Sequence, residues 1–199
     1  MLDGWFLEAI QPRLKGNSNL IRFADDFLLL FSNKEDAERV MKVLPKRLEK
    51  YGLTLHPEKT KRVEVNSRDR GTPGTVDFLG FTHYMGKSRK GKWILRRKTS
   101  KKKLKASLQR ASQWMKANRD KPVERLICEL NRKLRGHYGY YGITFNYPGL
   151  NHYHHKIRRM LHKWLNRRGG KPRWNWDRYT GELLRQYPLE QPRIVHRYF

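Results

Sequence analysis

Two adjacent carboxylates, Asp25 and Asp26, stand at the centre of the apolar, aromatic-rich run Leu20 to Phe31 (LIRFADDFLLLF). The run has strand length on each side of the pair, which predicts a hairpin with the carboxylates at its tip. Carboxylate oxygens suit Mg²⁺, which usually takes one or two protein carboxylates plus substrate phosphates. Two such ions about 3.5–4 Å apart form the clamp that polymerases use for in-line phosphoryl displacement. The same dipeptide also makes a plain turn, because Asp favours turns, although Asp-Gly and Asn-Gly are the stronger hairpin signals. The dipeptide alone leaves both readings open.

The basic residues carry a second chemistry. Across 199 residues, 45 Lys and Arg against 18 Asp and Glu give a net charge of +27. That balance points to a polyanion, most simply nucleic acid. Residues 1–86 hold 14 basic and 12 acidic residues, whereas residues 87–199 hold 31 basic and 6 acidic. The first stretch reads as a near-neutral globular unit and the second as a binding surface. Lys101, Lys102, Lys103, Lys105, Arg110, Arg158, Arg159, Lys163, Arg167 and Arg168 come from segments with almost no acidic counterweight. A solvated face normally mixes signs, so these residues are expected to meet RNA phosphates. Tyr138, Tyr140, Tyr141, Trp174, Trp176 and Tyr179 lie among the charges, and each either stacks on an unpaired base or packs the core. Lys59 and Lys61 are read as solvated, with phosphate contact the alternative. His152-Tyr153-His154-His155 has no Cys or spaced carboxylate beside it, so it is not taken as a metal site.

Positioning these groups requires an α+β fold. Residues 1–14 carry Trp5, Phe6, Ala9 and Ile10 on one helical face, ending at Pro12. After the hairpin, Ser32-Asn33 caps a helix over about 34–51 with Val40, Val43, Leu44 and Leu48 as its apolar stripe, and Pro45 is expected to kink or break it. Short strands are expected at 53–55 and 62–65, then a Gly/Pro loop at 67–75. A further hairpin pairs 76–84 with 93–96 across a short basic connection. Helices follow at 100–118, from Pro122 with Val123, Leu126, Ile127, Leu130 and Leu134 on one face, and at about 150–167. Cys128, the single cysteine, excludes a disulfide framework and is expected to be buried. No apolar stretch approaches the roughly 18 residues of a membrane span and no signal peptide opens the chain, so no membrane partner is expected. The expected location is cytoplasmic, with an organelle as the alternative.

Four pieces stand in a fixed order. They are the Phe-Ala-Asp-Asp hairpin, a helix running into Gly52–Lys61, the Phe78-Leu79-Gly80-Phe81 hairpin and a basic helical bundle. This order resembles the group II intron-encoded reverse transcriptases, or maturases. The segment Leu130 to Tyr141 (LNRKLRGHYGYY) is similar to the signature of their maturase-specific, or X, domain, and Trp164-Leu165-Asn166-Arg167-Arg168 fits the same domain. Where that family usually carries Trp near position 137, this chain has His137-Tyr138. The resemblance implies a partial reverse-transcriptase palm with the primer-grip hairpin over 1–98, and a thumb and maturase bundle over 99–199. It implies that Asp25 and Asp26 are catalytic and bind Mg²⁺. It places Phe23, Phe78, Leu79 and Gly80 at the primer, and adds Arg132, Lys133 and Arg135 to the RNA contacts.

The family's third Asp sits on an upstream palm strand behind the fingers, and only Asp3 precedes the hairpin here, in an unmatched Met-Leu-Asp-Gly context. Without that strand, one edge of the Leu20–Phe31 hairpin is expected to be unpaired. The expected function is therefore to bind structured intron RNA and assist splicing. RNA-directed DNA synthesis on a DNA primer or target is expected only when a separate N-terminal half supplies the missing parts. A truncated, non-functional remnant and a generic basic RNA-binding protein are the competing readings.

Overall fold

The computed structural model describes residues 2–65, 74–169 and 173–198. The fold is α+β, with two small antiparallel sheets and a set of helices that divide into two compact units, Met1–Val63 and Glu64–Phe199.

In the first unit, a helical lead-in begins as α1 (Leu2–Gly4), widens into a π turn at Trp5–Ile10 and ends in a 3₁₀ turn at Gln11–Arg13 that contains Pro12. Strands β1 (Ser18–Phe23) and β2 (Asp26–Phe31) pair antiparallel with Leu20 opposite Leu29 and Phe23 opposite Asp26. Helix α2 (Lys34–Glu49) starts where the Asn33 side chain accepts hydrogen bonds from the amides of Glu35 at 2.8 Å and Asp36 at 3.3 Å. Leu20, Phe27 and Leu29 pack on a core of Leu2, Leu44 and Leu48. Asp36 locks the approach to β1: it is 1% exposed, and its Oδ2 accepts from the amides of Lys15 at 2.8 Å and Gly16 at 2.9 Å.

Several local expectations change. Pro45 does not divide α2, which runs as one helix; a proline near the end of a packed helix removes only the bond to Met41. Val43 is exposed at 42%, so the buried stripe narrows to Val40, Leu44 and Leu48. Neither 53–55 nor 62–65 forms a strand. A strand needs a ladder, and among the described residues the backbone of 61–65 makes a single hydrogen bond, from Gly74 N to Glu64 O at 2.9 Å. The predicted loop lies outside the described residues except for Gly74 and Thr75.

In the second unit, the predicted strand 76–84 divides into β3 (Val76–Phe78) and β4 (Phe81–Lys87), and β4 pairs with β5 (Trp93–Thr99). The break is a two-residue turn at Leu79-Gly80, both with left-handed backbone, φ 48° and 81°. A tight hairpin turn with positive φ at both central residues favours Gly at one of them, so the signal was the glycine inside a strand pattern. Helices α3 (Lys101–Ala117), α4 (Val123–Tyr141) and α5 (Tyr147–Leu165) follow, with Ser100 capping the first. Helix α4 continues through Gly136 and Gly139, and α5 begins three residues before its expected start, with Pro148 in its first turn, where the missing N–H is harmless. Met115, Leu126, Leu130, Leu134, Leu150, Ile157 and Leu161 form the buried centre. Cys128 is exposed, correcting its expected burial, because it lies off the Leu126, Ile127, Leu130 and Leu134 stripe. Short pieces α6 (Trp176–Arg178) and α7 (Leu184–Gln186) flank a π turn at Tyr179–Leu183.

Residues 188–198 then strap the bundle. The Asn131 side chain donates to Pro188 O at 2.9 Å and accepts from Glu190 N at 2.8 Å. Val195 N and His196 N donate to Gly142 O at 2.7 and 2.8 Å, and Tyr198 N donates to the Thr144 hydroxyl at 3.0 Å. A Cβ at position 142 would strike Tyr138 O and lie 2.7 Å from Arg193 O, so only glycine fits beneath the strap.

One buried amide joins sheet and bundle. Asn146 is 1% exposed; its Oδ1 accepts from Thr99 N at 2.9 Å, and its Nδ2 donates to the Thr99 hydroxyl and to Tyr141 O, each at 2.8 Å. Asn146→Ala leaves these groups buried without partners, so stability to urea is expected to fall by about 2–4 kcal/mol. Equilibrium unfolding followed by circular dichroism measures this.

Candidate functional site

The carboxylate tip is built by the β1–β2 register. Phe23 faces Asp26 across the ladder, leaving Ala24 and Asp25 as a two-residue turn. Ala24 has φ 52°, a left-handed conformation that costs a non-glycine residue of the order of 1 kcal/mol. Asp25 and Asp26 are both exposed, and Phe23 beside them is 64% exposed. Arg22 secures the tip: its Nε donates to Asp3 Oδ1 at 2.9 Å and its Nη1 to Ala24 O at 3.3 Å. The hydrogen bond from Arg22 holds the Asp3 carboxyl below the usual carboxylate range, and Asp3, aided by the charge of Asp25, raises the guanidinium in turn. Asp3 is thus committed to Arg22. Among the described residues no group of three or more His, Cys, Asp or Glu could hold a metal. The two tip carboxylates fit the hard-oxygen preference of Mg²⁺, which completes its shell from water and phosphate.

The second piece is the Leu79-Gly80 turn. Tyr140 Oη donates to Leu79 O at 2.8 Å, and Ser100 N donates to Gly80 O at 3.0 Å. Phe81 stacks on Tyr140, ring centroids 5.7 Å apart, and meets Tyr141 edge-on at 5.3 Å. A Cβ at Gly80 would stand 3.2 Å from the Tyr141 hydroxyl and 3.7 Å from Lys103 Cγ. Phe78, Leu79 and Gly80 are therefore brought against the C-terminal end of α4 and the first turn of α3. No sequence signal marked Tyr140 as the residue that holds this turn.

The basic residues separate by exposure. Lys101, Lys102, Lys103, Lys105, Arg110, Arg132, Lys133, Arg159, Lys163 and Arg167 are exposed. Arg135 is exposed but paired with Glu190 at 3.3 Å. Arg158 is partly covered and lies over the Trp176 ring, 5.2 Å from its centroid. Arg168 is also partly covered, with Nε and Nη2 buried and, among the described residues, unpartnered, and burial pulls its pKa down. Tyr138 is fully buried, with its hydroxyl 3.0 Å from His154 Nδ1. Its expected base contact is withdrawn, because a ring with no exposed surface cannot stack on RNA. Tyr141 is partly covered and Tyr140 is 54% exposed.

His137 replaces the expected tryptophan at a packed position. Its ring stacks on Tyr153, centroids 3.7 Å apart and planes 12° apart, and its Nε2 is buried without a partner among the described residues. Burial, helped by the nearby Arg110 charge, lowers its pKa from 6.5 to about 4.

Residues 4–83 match the family described as reverse transcriptase (RNA-dependent DNA polymerase), and residues 101–180 match the group II intron, maturase-specific domain. The first match contains the Asp-Asp tip and the Leu79-Gly80 turn, and the second contains α3, α4 and α5. No curated protein matches the chain.

A histidine whose pKa is depressed on folding stabilises the protein fully above its unfolded value. That contribution is lost as pH falls from about 6.5 towards 4, up to roughly 3 kcal/mol at about 1.4 kcal/mol per pH unit. Burial depresses His83 and His154 in the same direction. His137→Phe keeps the stack on Tyr153 and has no proton to take up. Its unfolding free energy, measured in urea at pH 7 and pH 4.5, is expected to fall much less between the two than that of the parent chain.

Proposed function

We propose, for a chain that belongs to the group II intron-encoded reverse transcriptases, that its basic helices grip structured intron RNA and so assist splicing, the RNA supplying the chemistry of that step. The observation that carries this reading is the composition of α3 and α5. Together they hold ten Lys and Arg and no Asp or Glu. A helix face that serves solubility alone mixes signs, whereas one that tracks phosphates does not. Arg132 and Lys133 on α4 extend the surface. Lys133 is exposed, with its Nζ 5.0 Å from the Trp114 ring centroid.

RNA-directed DNA synthesis is the second reading, favoured by the strained, exposed Asp25-Asp26 tip. Asp25 and Asp26 would hold Mg²⁺, which when bound neutralises charge on the transferring phosphoryl group. Phe23, exposed on the same sheet face as Asp26, would lie against the primer end. The turn at Leu79-Gly80, fixed by Tyr140 and Ser100, would grip the primer strand. A third carboxylate and the residues that take the incoming nucleotide would come from a separate N-terminal reverse-transcriptase half.

For RNA binding, neutralising some 6–10 phosphates makes the affinity for intron RNA fall roughly 10³–10⁵-fold between 50 and 200 mM salt, measured by filter binding. A flat salt dependence would count against the reading. For synthesis, primer extension with Mg²⁺ is expected to give no product from this chain alone and product when the N-terminal half is added. Asp25→Asn is expected to abolish that product and leave RNA affinity unchanged, since the exposed tip adds no positive charge to the grip.

A further inference from the structure

We propose that the groove between Trp176 and the outer face of α5 is a subsite for one unpaired nucleotide of the bound RNA, with the base on Trp176 and flanking phosphates on Lys156, Arg159 and Lys163. The proposal rests on the RNA-binding reading and specifies which form of RNA is taken, and where. The groove encloses about 390 Å³ and is lined by Lys156, Arg159, Met160, His162, Lys163 and Trp176. That volume suits a small ligand group such as a nucleotide.

Lys156, Arg159, Met160 and Lys163 follow the i, i+3, i+4, i+7 spacing of one helix face. Three cations therefore stand in a row around an apolar thioether floor. None of the three forms an ion pair among the described residues. Lys156 lies outside the set of cations marked from the sequence, although its spacing to Arg159 and Lys163 is the signal that includes it.

Trp176 is open yet held in place. It is 41% exposed, with the Arg158 guanidinium over its ring at 5.2 Å and the His162 ring against it edge-on at 5.2 Å. The segment bearing it is tied back to α5. Trp174 N donates to Asn166 Oδ1 at 2.9 Å, and Asn166 Nδ2 donates to Trp174 O at 2.7 Å. His162 Nε2 lies 2.8 Å from the same carbonyl. A ring fixed in this way loses little freedom when a base stacks on it. Paired RNA keeps its bases stacked inside the duplex, so only an unpaired base can use the platform.

The test uses the full chain, a labelled single-stranded RNA oligomer and a blunt RNA duplex of the same sequence, with binding read by fluorescence anisotropy. Trp176→Ala is expected to weaken single-strand binding about tenfold or more and to leave duplex binding unchanged, with Trp176→Phe retaining most of the affinity. The exposed variants Lys156→Gln and Arg159→Gln should each lower the salt slope by about one. Steep, salt-sensitive binding that Trp176→Ala does not alter, or alters equally for both RNAs, overturns the subsite and leaves the general grip standing. Failure of the parent chain to bind either RNA overturns both.

Discussion

The second unit depends on a single side-chain amide. Asn146 sits where β5 ends, α4 stops and α5 begins, and it answers a backbone amide, a hydroxyl and a carbonyl that the change of direction leaves unpaired. Buried polar groups without partners are costly, so the chain turns sharply here only because one residue serves all three. Gly149 completes the corner, since a Cβ there would lie 2.6 Å from Asn146 Oδ1. From this corner follow the position of the sheet on the bundle, the stacking of Phe81 on Tyr140, and the fixed Leu79-Gly80 turn.

The first unit solves a different problem with charge. Its turn holds an alanine in a conformation that glycine would adopt more readily, and Arg22 bonds to the carbonyl of that residue while engaging Asp3. The hairpin forms a two-stranded sheet, so among the described residues neither edge has a strand partner. Its outer face leaves Ile21, Phe23 and Leu30 exposed, with Phe23 directly across from Asp26. The inner face, with Leu20, Phe27 and Leu29, is the one that the core of this unit covers. Stored strain and open surface thus coincide at the two carboxylates, while the basic charge is concentrated in the helices.

Periodicity was the reliable signal. The stripes Leu126, Ile127, Leu130, Leu134 and Leu150, Ile157, Leu161 are the buried centre of the bundle, and the apolar run of strand length on each side of Asp25-Asp26 forms the observed ladder. Short segments were less legible, because a three-residue run such as Leu53–Leu55 has strand character only if another strand lies beside it. Exposure was least legible of all. Tyr138 and Tyr140 differ by two positions in one aromatic run, yet the first is fully buried and the second 54% exposed. Helical geometry rotates them by about 200°, and only the packing of α5 decides which faces inward. The same rotation hid Cys128 among buried neighbours, and the role of Tyr140 depends on a turn 61 residues away.

The strap over Gly142 has a consequence for biosynthesis. Residues 188–198 contact positions more than 50 residues earlier, and they leave the ribosome after α4 and α5 have been made. The helices can assemble locally as they emerge, but Gly142, Thr144 and Asn131 wait for partners that translation delivers later. Closure of the bundle is therefore a late event in synthesis. A nascent chain stalled before residue 188 would present a helical core whose Asn131 side chain and Gly142 carbonyl have only water to bond.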